Sequence, residues 1–378
     1  MSLSVARMLL LLISLSVTLV ANSPSHGASA SPAMLQAKQE AETKGYVFET
    51  SHDAILTNAK KEAKLRVLSS FDNESLKGLV QAFKKKYPFI AINADEVAGT
   101  DTYQRMILEM KSGATRAWDV NYMTTDFYDE YLPYQKKFDL LGMAQHRVLR
   151  IPVEMIDPFN RNIVAYSSTV QVVTYNRNVI SGEKVPNSWE DFLNPEFKGK
   201  KFVADIRPQE IAALVPAWGL ERTLNFARGI AAQQPVWARG HSRVLTAMAG
   251  GEYSMLIGAN LNSTKRAIDK DRTKSIAFKV VEPVPVWIGE HEAVFAKAEY
   301  PYAGLLWLEF CATEEAQKIV DQGSYEGSYL FPVTSAYQAS RGRKLSLVDW
   351  QHATKMQDYQ KKVVEAYGFP RAENTGKK

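Results

Sequence analysis

Short apolar runs and amphipathic stretches alternate along most of this chain. Ser51 to Ala63 carries Ile55, Leu56 and Ala59 at helical spacing behind a Ser51 cap. Leu65 to Ser70 has the length and composition of a strand, and Glu74 to Lys86 puts Leu76, Leu79, Val80 and Phe83 on one helical face before Tyr87-Pro88 stops it. Phe89 to Ala94 reads as a second strand. Gly99-Thr100-Asp101 opens a helix with Tyr103, Met106, Ile107 and Met110 on its buried stripe, and Trp118 to Met123 is a third strand. This β-α-β-α-β succession predicts a parallel sheet covered on both faces.

The middle of the chain differs. Ile163 to Asn176 holds the β-branched run Val170 to Tyr175, long enough for a strand that crosses into a second lobe. In that lobe Lys201 to Asp205 and Tyr253 to Ile257 read as strands, Glu221 to Ala232 and Arg243 to Ala249 as helices, the latter ending at Gly250-Gly251. Ile276 to Val281 is expected to be the return crossing. Tyr300 to Val320 is expected to be helical with Pro301 in the first turn, and Val348 to Tyr367 a C-terminal helix with Met356, Tyr359, Val363 and Tyr367 on one side. The expected fold class is therefore α/β. Two lobes each hold a mixed, mainly parallel sheet flanked by helices, and crossing strands join them.

The first thirty residues follow other rules. Arg7 precedes an apolar run from Met8 to Val20, and a polar stretch leads to Ala28-Ser29-Ala30, an A-x-A cleavage signal. A run of about 13 residues falls short of the roughly 20 needed to span a bilayer. Cleavage after Ala30 and a periplasmic mature chain are expected, the alternative being an uncleaved anchor. The expected organisation is a signal peptide over 1–30, a helical extension over 31–50, a first lobe from 51–168 with 283–340, a second lobe from 169–282, and a C-terminal helix and tail over 341–378.

Composition narrows the function. The single cysteine, Cys311, lies in the apolar segment Leu305 to Cys311 and cannot form an intrachain disulfide, so a mature chain of about 350 residues must rely on its cores alone. With 46 basic and 41 acidic residues the net charge is +5, too mild to demand nucleic acid. Catalytic signatures are missing. Gly240-His241-Ser242-Arg243-Val244 approaches a nucleophile elbow but ends in Val, and no Walker loop, dinucleotide fingerprint or H-E-x-x-H occurs. His291-Glu292 has no second metal ligand nearby in sequence.

Four stretches carry a family likeness. They are Ala59 to Leu65; Val185-Pro186-Asn187-Ser188-Trp189-Glu190-Asp191-Phe192 followed by Asn194-Pro195-Glu196-Phe197-Lys198-Gly199-Lys200; Ala249-Gly250-Gly251-Glu252; and Tyr300 to Gly304 continuing through Ala312 to Gln317. In this order and spacing the chain resembles the extracellular solute-binding proteins of bacterial ABC importers, the group that includes ferric-iron, thiamine, polyamine and phosphonate receptors. The resemblance implies the type II periplasmic binding protein fold, a solute held between the lobes, an ABC permease that reads lobe closure, no cofactor and no catalysis. A monomer is expected. Iron receptors of the group share a tyrosine pair after the Gly-Glu motif; here Gly258 to Thr264 has none, and Ser69-Ser70-Phe71-Asp72 lacks a histidine, so no metal site is expected. An exported enzyme, a ferric receptor and a sensor-kinase-coupled receptor remain the alternatives.

Candidate ligand contacts come from strand ends, where helix N-termini offer unpaired N–H groups. In the first lobe these are Ser69, Ser70, Thr100, Asp101 and Thr125, each of which could instead simply cap a helix. In the second they are Arg207, Arg239, His241, Ser242 and Asn260, whose arginine forks suit a carboxylate or phosphate; pairing of these arginines with Asp205, Glu210 or Glu252 is the competing reading. Tyr175, Trp287 and Tyr325 are aromatic candidates that ordinary packing would also explain. The expected solute is a small anion.

Overall fold

The computed structural model describes residues 31–113 and 118–369, apart from the side chains of Thr100 and Asp126. The expected signal peptide and the tail from residue 370 lie outside the described residues. Ten strands carry the architecture: β1 (Lys64–Ser69), β2 (Ala91–Glu96), β3 (Val120–Met123), β4 (Val164–Asn176), β5 (Val203–Asp205), β6 (Val236–Ala238), β7 (Met255–Asn260), β8 (Ile276–Lys279), β9 (Val284–Val294) and β10 (Leu345–Val348). They run in the order β2-β1-β3-β9-β4-β7-β5-β6, with β10 on β9 and β8 on β4.

One strand makes this a two-lobed molecule. β4 pairs antiparallel with β9 from Val164 to Val170, then leaves it and pairs from Gln171 onward with β7 and β8, with a register shift between Val172 and Thr174. In the first lobe β1 lies parallel between β2 and β3. The helices Asn73–Lys86 and Pro301–Cys311 bury Phe83, Trp307 and Phe310 against one another, with ring centroids 5.4 and 5.6 Å from Phe83. In the second lobe β5 lies parallel to β6 and β7, over a core of Trp189, Phe192, Phe202, Phe226 and Ile230.

Three expected elements differ. The return crossing is β9, not Ile276 to Val281: β8 stays in the second lobe, antiparallel to Val173 to Asn176 of β4. β9 escapes a pattern search because Pro285, Gly289 and Glu290-His291-Glu292 interrupt its apolar alternation. The expected helical stretch Tyr300 to Val320 is two helices, Pro301–Cys311 and Glu314–Ser324; Thr313 starts the second by accepting the Ala316 N–H at 3.3 Å. The C-terminal helix begins later than expected. β10 and the short helix Trp350–Ala353, capped by Asp349, precede the helix Met356–Tyr367, which buries Met356, Val363 and Tyr367 in the second-lobe core.

Candidate ligand-binding site

The second-lobe wall of the cleft is organised by Asp205 at the end of β5. Its carboxylate accepts the N–H of Arg207 at 2.8 Å and that of Gly240 at 2.9 Å, tying the loop after β5 to the loop after β6. Gly240, at φ +83°, sits in a left-handed conformation that glycine adopts without penalty, and it starts the helix His241–Ala249. The Arg207 guanidinium lies 3.7 Å from Asp205 with its side chain 56% exposed, so most of its donors face the cleft. His241 Nδ1 accepts the Asn260 N–H at 3.3 Å, while Nε2 stands 3.8 Å from Asp205. Burial pushes the His241 pKa below its ordinary value, partly opposed by Asp205. The ring is thus held neutral with its Nε2–H as a donor. Arg239 and Arg243 are exposed, and neither pairs with a carboxylate among the described residues.

Arg207, Gln209, Arg239, His241, Ser242 and Asn260 line a recess that shares Arg207, Gln209 and Asn260 with a larger cavity of about 420 Å³. That cavity reaches the first lobe at Tyr122, Thr125 and Glu290, and Trp287 of the crossing strand also lines it. The side-chain amides of Asn260 and Gln171 are hydrogen-bonded at 2.8 Å, fixing the second-lobe group to β4. Among the described residues no cluster of three or more His, Cys, Asp or Glu side chains is arranged to hold a metal ion.

A family model described as bacterial extracellular solute-binding protein matches residues 127–356. The chain belongs to that family. A comparison with curated proteins finds no match. Among solved structures, a protein of Trichodesmium in complex with iron and citrate superposes with a TM-score of 0.63 at 19% identity, over 81% of this chain and 100% of that one. The Bordetella ferric binding protein gives 0.63 at 18%, over 82% and 100%. The substrate binding protein of an ABC transporter from Agrobacterium tumefaciens gives 0.56 at 16%, over 80% and 95%. At these identities the likeness is one of fold, the two-lobed binding-protein fold. This solute-binding protein is accordingly a receptor whose place is outside the cytoplasm.

Thr125, Arg207, Arg239, His241, Ser242, Asn260 and Trp287 line the receptor's cleft or its recess. Ser69, Ser70, Asp101, Tyr175 and Tyr325 are not among the lining residues. Ser69 and Ser70 are engaged by Glu290: Ser69 Oγ donates to Oε1 at 3.0 Å, the Ser70 N–H donates to Oε1 at 2.8 Å, and Ser70 Oγ bonds Oε2. Their hydroxyls serve an internal carboxyl rather than facing the solute. Asp101 is exposed in the first turn of the helix Thr100–Ser112, away from the cavity, and the Thr100 side chain lies outside the described residues. Tyr175 pairs with Met255 and Ala277 across β4 and packs on the second-lobe core. Tyr325 ends the helix Glu314–Ser324; its OH donates to Asp269 at 2.7 Å and Lys265 lies over its ring at 4.5 Å, so it joins the lobes instead of lining the cleft. Sequence reasoning missed Glu290, Tyr122, Gln209 and the C-terminal residues Thr354, Met356 and Gln360 that complete the cavity.

Proposed function

We propose that this receptor is the substrate-binding component of an ABC importer, made with a cleaved signal peptide and working as a periplasmic monomer. It captures a small solute bearing an anionic group and delivers it to a membrane permease without chemistry of its own. The observation that carries the reading is the second-lobe wall. Arg207, Arg239 and the Nε2–H of His241 gather at the N-terminus of the helix His241–Ala249; among the described residues only Asp205 lies within ion-pair distance of them, it is already occupied by two backbone N–H groups, and burial pushes the nearby Glu210 toward its neutral acid form. Such donors favour a carboxylate or phosphate. Thr125 faces them from the first lobe, so a solute that touches both walls gains contacts only on closure and shifts the receptor toward the closed form.

Ferric iron is named for the Bordetella and Trichodesmium proteins. A hard trivalent ion takes anionic oxygen ligands, which this arginine-lined wall supplies poorly, so the anion reading is favoured here. Thermal-shift screening of the mature chain against carboxylates, organophosphates and ferric salts tests it. Anions should raise the melting temperature, and replacing Arg207 or Arg239 with Ala should weaken their binding by about 2 to 5 kcal/mol where the pair is desolvated. Unchanged affinity in both variants would remove the anion.

A further inference from the structure

The first-lobe wall of the same cavity carries a carboxyl where the second carries arginines. Glu290 is 9% exposed, lines the cavity that Arg207 lines from the other side, and has no cationic partner among the described residues. Its carboxyl receives three donors from Ser69 and Ser70, which leaves one of about four lone-pair positions open. Among the described residues no cation stands within ion-pair distance of it, and its neighbour Glu326 is itself paired with Arg266 at 3.5 Å. Glu292 and Glu326 are acidic, Tyr122 is a phenol, and burial holds His291 neutral by pushing its pKa down to about 4. Glu290 also holds a left-handed backbone, φ +51°, in the middle of β9. Such a conformation is unfavourable by about 1 kcal/mol or more for a residue with a side chain. A strained residue with a buried carboxyl that lacks a counter-charge is costly as architecture.

We propose that the solute is zwitterionic, with a cationic group seated on Glu290 of the first lobe and its anionic group on Arg207 and His241 of the second. This rests on the anion reading above and extends it. Tyr122 and Trp287 line the same cavity, so an ammonium seated there meets aromatic side chains, whose attraction for a cation grows as closure excludes water. Two opposed walls also explain how closure becomes selective. A simple anion satisfies only the second lobe and leaves the buried Glu290 to hold a proton, whereas a zwitterion brings a counter-charge to each wall.

The test is calorimetric titration of the mature chain with matched probes: propionate and β-alanine, ethanesulfonate and taurine, ethyl phosphate and phosphoethanolamine, with ethylamine as the amine alone. In at least one pair the amine-bearing member should bind about tenfold tighter or more, and Glu290→Gln, checked for native far-UV circular dichroism, should erase that difference. Equal affinity within every pair, no binding by any of the three zwitterions, or a preference that survives in Glu290→Gln, overturns the assignment. Ethylamine binding as tightly as the zwitterions, with Arg207→Ala unaffected, would instead sink the anion reading on which it rests.

Discussion

The indole N–H of Trp189 donates to the carbonyl of Pro283 at 2.9 Å, deep in the second lobe. Trp189 is fully buried and belongs to the stretch that most marks the family, while Pro283 immediately precedes the strand that returns to the first lobe. The motif therefore fixes the point where the chain leaves one lobe for the other. Trp189→Phe keeps most of the buried surface but orphans the carbonyl, and should cost about 1 to 3 kcal/mol in urea unfolding. Trp189→Ala should cost about 3 to 5 kcal/mol. A midpoint unchanged by Trp189→Phe would show that the bond is not a tie between the lobes.

A second expectation concerns pH. Glu292 is fully buried; Oε2 accepts the Trp307 indole N–H at 3.0 Å and Oε1 has no partner. Burial, then the neighbouring Glu290, pushes its pKa up to about 8, and burial pushes Glu290 up to about 7 against the serine hydrogen bonds. Carboxyls in the unfolded chain titrate near 4.3, so the native state holds protons that the unfolded chain has released. The stabilisation of the acid forms is complete below that value and is lost as pH rises through 7 and 8. His291, pushed down to about 4, acts in the opposite sense but only below its unfolded value of about 6.5. Stability should thus fall between about pH 6.5 and 8 by on the order of 1 kcal/mol per unit for each carboxyl still titrating, and Glu292→Gln should flatten the slope. Unfolding midpoints at half-unit pH steps decide it; a slope that Glu292→Gln leaves intact would place the titration elsewhere.

These two sites show what was legible in the sequence. Arg207, His241 and Asn260 were readable because each follows a strand end, and strand ends face the cleft whatever the details of packing. Trp189 was readable as part of a motif, though not its partner. Glu290 was not, because β9 lacks alternation, and a carboxyl inside an irregular apolar stretch gives no sign of which wall it reaches. The same gap misplaced Ser69 and Ser70: whether a hydroxyl at a strand end faces a solute or a neighbouring acid depends on a residue about 220 positions away, here on β9, which β3 separates from β1 in the sheet. Thr354, Met356 and Gln360 reach the cavity only through the docking of the C-terminal helix on the second lobe, which no local pattern reports.

Backbone geometry behind the arginine wall gives a third expectation. Gly258 holds φ +69°, and a Cβ there would stand 2.2 Å from Cβ of Glu210, whose side chain is fully buried with both oxygens unpartnered. Gly258→Ala should cost about 2 to 4 kcal/mol, from the left-handed strain and from displacing a side chain with nowhere to go. In Glu210→Gly both close carbons, Cβ and Cγ, are removed and the contact is relieved, so adding Gly258→Ala to that background should cost about half as much. A double-mutant cycle from chemical denaturation measures the coupling, and strict additivity would show that Glu210 is not what excludes the methyl group.

Closure itself supplies the last expectation. Thr125 lies in the short turn after β3 and Arg207 in the loop after β5, so the two walls meet across the cavity only through a solute or through approach of the lobes. An indole placed by Thr125→Trp should occupy the space into which the walls close while leaving Arg207, Arg239 and His241 exposed to solute. Binding should persist at the second lobe but weaken by about tenfold or more, because the contacts added on closure are lost. Small-angle scattering should then show a solute-dependent decrease in radius of gyration for the native receptor and none for Thr125→Trp. Full affinity and normal compaction in Thr125→Trp would mean that the solute is gripped elsewhere than between these walls, since an indole cannot fit in a closed site that also holds it.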